Sequence, residues 1–165
     1  MRIRPIMVTA ALALAVTCAA APALASESRS TERRTAAILN AFEREDLAAV
    51  SALLDPNATL TIPLSFTGRK EDAARFTGKE QVLGYVKNAL AAFGRIDFVN
   101  VNVTVSEEGN TSFVQADGDF TTADGRSYRN VYVYAFEWRN GRMVRGAEYA
   151  NPVTFCATFP ATPGC

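Results

Sequence analysis

The chain has 165 residues, 48% of them hydrophobic, and its 17 Lys and Arg balance 17 Asp and Glu, so it carries no formal net charge. That balance leaves no electrostatic footprint for nucleic acid or anionic lipid, and the length suits one domain with a single core. Histidine is absent, which excludes Ser-His-Asp and Cys-His nucleophiles, the facial iron triad and most zinc sites, and leaves acid or base work to Asp, Glu, Lys, Tyr or water.

Residues 1–25 read as a signal peptide. Arg2 and Arg4 precede an apolar run from Ile6 to Val16, and Ala23-Leu24-Ala25 suits cleavage before Ser26. The run is shorter than the ~20 residues a membrane span needs, and Ala15-Val16-Thr17 is a poor lipobox ahead of Cys18. Cleavage removes two of the seventeen basic residues and no acidic one, leaving fifteen against seventeen. The expected product is secreted, to the cell envelope or beyond it, with no stable membrane insertion. Its domain spans 26–155 and a Pro-rich tail spans 156–165.

Ala37, Ile38, Ala41 and Phe42 recur at helical spacing, which predicts a helix from about Glu32 to Arg44. Asp46 can cap a second helix with Leu47, Val50, Leu53 and Leu54 on one face, stopped by Asp55-Pro56-Asn57. Leu60, Ile62 and Leu64 alternate as a short strand. Arg69-Lys70-Glu71-Asp72, with Phe66 and Phe76 on either side, is either a rim over a pocket mouth or a solvated connector. Thr77-Gly78-Lys79-Glu80 has capping-box spacing ahead of a long helix with Val82, Leu83, Val86, Leu90 and Phe93 as its stripe and Gly94 as its C-cap.

From Arg95 the period changes to two. Turn signals at Glu108-Gly109-Asn110, Asp124-Gly125 and Asn140-Gly141 divide four strands, about Asp97–Ser106, Thr111–Thr122, Ser127–Arg139 and Arg142–Phe155, into an antiparallel meander. Cys156 and Cys165 in the tail form a disulfide in an oxidising compartment, or stay as two thiols. Helices first and a long sheet second make an α+β fold. Strands this long twist and curl, so a cone-shaped antiparallel sheet wraps about three N-terminal helices and leaves an open mouth.

The segment from Tyr128 through Asn140-Gly141 to Glu148-Tyr149-Ala150-Asn151-Pro152 resembles the closing hairpin of SnoaL-like proteins in the nuclear transport factor 2 superfamily. Its Glu-aromatic-x-Asn-Pro stretch is closest to the phenazine-biosynthesis A/B group. The resemblance implies a cystatin-like α+β barrel, the ketosteroid isomerase-like fold, around a small-molecule pocket. It also implies acid-base work for Glu148, with Tyr149 and Asn151 beside it. The phenazine group also uses a pocket histidine, which this chain lacks. The superfamily contains enzymes, binding modules and assembly proteins alike.

Alternation places Tyr128, Asn130, Tyr132, Tyr134, Phe136 and Trp138 on one strand face, either as a ligand-binding ladder or as core or dimer surface. Glu148 is flanked by apolar residues, so an inward orientation raises its pKa and suits it to proton transfer, whereas an outward one pairs it with Arg145. Asp119, sharing a face with Asp117, is the second acid-base candidate, and a solvated strand face is the alternative. No nucleotide loop or metal-ligand cluster argues for a cofactor or metal. The partner is a small hydrophobic or aromatic molecule, held for cofactor-free isomerisation, cyclisation or dehydration or simply bound, and a homodimer is an open arrangement.

Overall fold

The computed structural model describes residues 20–165, so the expected signal peptide lies, apart from residues 20–25, outside the described residues. Helix α1 (Ala20–Glu43) begins well before Glu32 and runs through the Ala25–Ser26 junction. After a turn at Glu45, helix α2 (Leu47–Leu53) starts from Asp46, whose carboxylate accepts from the Ala49 amide at 2.9 Å as the cap spacing requires. Strand β1 (Leu54–Ile62), a 3-10 turn at Lys70–Asp72, β2 (Ala74–Thr77) and helix α3 (Lys79–Ala92) follow. Then come β3 (Phe93–Arg95), β4 (Phe98–Val105), β5 (Thr111–Thr122), β6 (Ser127–Arg139), β7 (Arg142–Ala150) and a short helix α4 (Pro152–Thr158).

The α+β class and the curved sheet are as expected, and the β4-β5-β6-β7 meander is antiparallel throughout. The sheet as a whole is mixed, because β1 lies parallel against β7 and β2 extends it. Its order is β2-β1-β7-β6-β5-β3, with β4 also on β5, so it bends without closing. Four helices are present among the described residues, one more than expected. Asn140 and Gly141 both take positive φ, 50° and 77°, which gives the β6–β7 hairpin the turn twist it needs.

Several local expectations give way to tertiary pairing. Asp55-Pro56-Asn57 is a register irregularity inside β1, where a proline is tolerated. The capping box does not form: Gly78, at φ 84°, takes the N-cap, which leaves the Thr77 hydroxyl one residue early, and the Thr77 amide donates to Gln81 Oε1 at 3.0 Å instead. Gly94 is not a C-cap, since the chain leaves α3 in extended form at Phe93 and pairs with β5. The last strand stops at Ala150, and α4 runs through Phe155 where strand and then irregular tail were expected.

Helices α1, α2 and α3 fill the concave side with Ile38, Leu39, Ala41, Val50, Val82, Val86 and Leu90 against Val114, Ala116, Phe120 and Met143. The narrow end is sealed by a buried polar knot. Ser112 Oγ receives the Thr35 hydroxyl at 2.7 Å and the Trp138 indole N–H at 3.1 Å, tying α1 to β5 and β6. Gly118 on β5 leaves space for the ladder above it, since a Cβ there would lie 2.7 Å from the Tyr132 ring and 3.1 Å from the Phe120 ring. Gly118→Ala is therefore expected to destabilise by about 1–3 kcal/mol through overpacking, measured as a lower urea midpoint with unchanged m-value.

Candidate functional site

Every second residue of β6 points into the cone. Tyr128, Asn130, Tyr132, Tyr134, Phe136 and Trp138 are all buried, while Val131 on the opposite face is 58% exposed. The rings run as a continuous stack, with centroids 5.7 Å apart for Tyr132–Tyr134 and 5.5 Å for Tyr134–Phe136. This inward face is not available for pairing between chains. Phe136 and Trp138 belong to the packed narrow end, whereas Tyr128, Tyr132 and Tyr134 border a cavity of about 250 Å³. Ile62, Phe93, Ile96 and Phe120 supply apolar wall, and Leu64, Phe66 and Phe155 stand at the opening.

Glu148 enters this hollow from β7, directly across the ladder from Tyr134. Strand β7 is paired on both sides, by β6 and by β1, so the carboxylate rides on a rigid element. Its Oε2 accepts the Tyr85 hydroxyl of α3 at 3.0 Å. No Lys or Arg lines the cavity among the described residues. Burial pushes the Glu148 carboxyl up to about 7, and the Tyr85 hydrogen bond only partly offsets this. Burial likewise raises the hydroxyls of Tyr85, Tyr132 and Tyr134, so they remain protonated donors at neutral pH.

The other sequence candidates fall in different places. Asp119 lies on the convex face, bridged to Arg95 at 3.0 Å and Arg129 at 2.6 Å, and Asp117 accepts from Asn100 at 2.7 Å. Asp119 thus sits in an ion cluster and Asp117 beside a neutral amide, and neither borders the cavity that Glu148 enters. Asn130 spends its amide on structure: Nδ2 donates to the Tyr128 hydroxyl at 2.6 Å and to the Asn151 carbonyl at 3.2 Å, while Oδ1 accepts from the Val131 and Asn151 amides. Asn151 borders the cavity and caps α4 through the Val153 amide. Tyr149 points to the convex side and is half exposed.

Sequence reasoning missed Tyr85. The signal was present, because Tyr85, Asn88, Ala89 and Ala92 repeat at helical spacing, and all four border the cavity. The two alanines leave room where larger residues would fill the hollow. The expected rim is realised in part. Phe66 stacks on Phe155 of α4 with centroids 4.8 Å apart and planes 5° apart, while Phe76 instead packs on Tyr85 at 4.8 Å. Arg69 and Asp72 pair with each other on the connector. A disulfide joins Cys156 to Cys165 and folds the tail back, with Gly164 against Phe66.

Residues 35–146 match the SnoaL-like domain. The uncharacterized protein YesE of Bacillus subtilis (strain 168) is 29% identical over 117 residues, which cover 70% of this chain and 77% of YesE. A Bacillus subtilis crystal structure provisionally described as an isomerase superposes with a TM-score of 0.69 at 23% identity, covering 84% of this chain and 96% of that one. A phenazine biosynthesis-related protein of Pseudomonas aeruginosa gives 0.68 at 16% identity, covering 82% and 88%. At these identities the superpositions establish the shared fold alone.

The enclosed carboxyl makes stability depend on pH with a definite sign. The folded state holds the Glu148 proton up to about 7, whereas a free carboxyl releases it near 4.5, so folding stability falls as pH rises from about 4.5 through about 7. The expected loss is on the order of 3 kcal/mol. Urea unfolding at pH 5 and pH 8 should show Glu148→Gln gaining on the wild type at the higher pH; equal differences at both pH values would contradict a desolvated carboxyl.

Proposed function

Because the chain belongs to the SnoaL-like family, we propose that it is a secreted pocket protein that takes a compact hydrophobic or aromatic molecule into its cone and moves a proton on it without a cofactor. The observation that carries this reading is a carboxyl, alone in its lining among the described residues and poised near neutrality, in an apolar hollow lined by tyrosine hydroxyls. In its charged form Glu148 takes a proton from carbon next to a carbonyl, and in its neutral form returns one. The tyrosine hydroxyls hold the oxygen on which charge develops. Isomerisation, cyclisation and dehydration all use this step. The names of the two structural neighbours, one an isomerase description and one from phenazine biosynthesis, are compatible with it.

The disulfide between Cys156 and Cys165 favours an oxidising destination, in keeping with removal of residues 1–25 and a working unit of 26–155 followed by its stapled tail. Homodimerisation is supported by a different face from the ladder. The convex side exposes Val101, Phe113, Val131, Val133 and Tyr149 together. Val131→Lys should then shift the mass measured by light scattering from dimer to monomer; an unchanged mass would remove that face from consideration.

The proton-transfer reading is tested with 2-tetralone, a compact uncharged ketone, by following exchange of its α-protons in heavy water by NMR. The wild type should accelerate exchange, with a rate that rises as pH passes about 7, and Glu148→Gln should lose about 10²–10⁴ of the acceleration. Full exchange in the variant would end the assignment to Glu148. Binding without any exchange in the wild type would instead establish a noncatalytic binding module.

A further inference from the structure

The polar groups of the cavity are unevenly committed. Tyr85 donates to Glu148, and Tyr128 is held by Asn130 and interacts with Tyr132. Tyr134 is different. Its hydroxyl borders the hollow beside Glu148 and has no hydrogen-bond partner among the described residues. The second oxygen of Glu148 is equally uncommitted, since only Oε2 is bonded. Tyr134 and Glu148 are direct cross-strand partners, so an open donor and an open acceptor stand side by side on one rigid pair of strands. Both atoms are open to the hollow, since neither is among the fully buried polar atoms that lack a partner, so a guest's oxygen placed there can take the free hydrogen bond.

Charge narrows the guest further. Among the described residues the lining holds a carboxylate and no cationic side chain. A carboxylate guest would surrender its water, meet no counter-charge and face Glu148 across a low-dielectric space. An ammonium would gain Glu148 but lose its hydration for a single buried pair, where desolvation offsets the attraction. An uncharged guest incurs neither cost. The small volume, about 250 Å³, lies below the ~300 Å³ at which drug-sized pockets begin, which favours a compact guest.

We infer that the cavity selects uncharged ring compounds bearing a hydroxyl or carbonyl oxygen, that Tyr134 is the residue that receives this oxygen, and that Glu148 excludes carboxylates of the same shape. This deepens the pocket reading proposed above and rests on it. It makes Tyr134 the specificity-determining contact, distinct from Tyr85, which positions Glu148.

Three probes of one shape separate the terms: naphthalene, 2-naphthol and 2-naphthoate, titrated at pH 8 by their own fluorescence. The wild type should bind 2-naphthol about tenfold more tightly than 2-naphthoate. Tyr134→Phe should weaken 2-naphthol about fivefold, the worth of one hydrogen bond, and leave naphthalene unchanged. Glu148→Gln should admit 2-naphthoate, bringing it within about threefold of 2-naphthol. Equal binding of all three by the wild type, or a Tyr134→Phe variant that loses naphthalene as much as 2-naphthol, would overturn this inference while leaving the pocket reading intact. Failure of every probe to bind would overturn both.

Discussion

The site depends on one constraint: a carboxyl group held where water cannot properly solvate its charge. Among the described residues Glu148 has one hydrogen bond, from Tyr85, and no cation across the hollow. In water its proton would leave well below neutrality; enclosed, the proton stays until about 7. The fold tolerates this because β7 is pinned on both sides, by β6 in antiparallel and by β1 in parallel register. A carboxyl on an edge strand or a loop could turn outward and escape, whereas one on this strand can relax only by moving the sheet.

The aromatic ladder on β6 serves two ends of the same cone. Its lower rungs, Phe136 and Trp138, close the narrow end together with the Ser112 and Thr35 hydroxyls. Its upper rungs, Tyr128, Tyr132 and Tyr134, have hydroxyls and border empty space. Stability and pocket are thus parts of one continuous stack, and the change from Phe and Trp to Tyr along the strand marks where core ends and cavity begins. Gly118 beneath Tyr132 belongs to the same arrangement, since a side chain there would push the ring into the hollow.

The lack of histidine shapes the chemistry available to this member of the family. A histidine would bring a second group that titrates near neutrality and accepts as well as donates. Here the carboxyl is bonded by Tyr85 and neighboured by Tyr134, hydroxyls whose burial keeps them protonated, so they act as donors and not as bases. A single base surrounded by fixed donors suits charge that moves onto a guest's oxygen and back. The mouth is framed separately, by the Phe66–Phe155 stack and the disulfide-linked tail, so its shape can vary without disturbing the carboxyl.

The amino-acid order by itself determined what depends on neighbours along the chain: the period-two strands and their Asn-Gly and Asp-Gly turns, the Asp46 cap, the grouping of the β6 aromatic residues on one face and the family hairpin from Tyr128 to Pro152. Those features follow from backbone geometry over a few residues. The tertiary structure decided everything that required distant segments to meet. Only there does β1 lie parallel to β7, Gly94 become strand, Asn130 meet the Asn151 carbonyl, and Asp119 find Arg95 and Arg129. Tyr85 reaches Glu148 across 63 residues of sequence, and no local pattern specifies that a helix hydroxyl and a strand carboxylate share one dry cavity. The physical reason is that desolvation, which gives Glu148 its character, is a property of the whole enclosure and not of any stretch of chain.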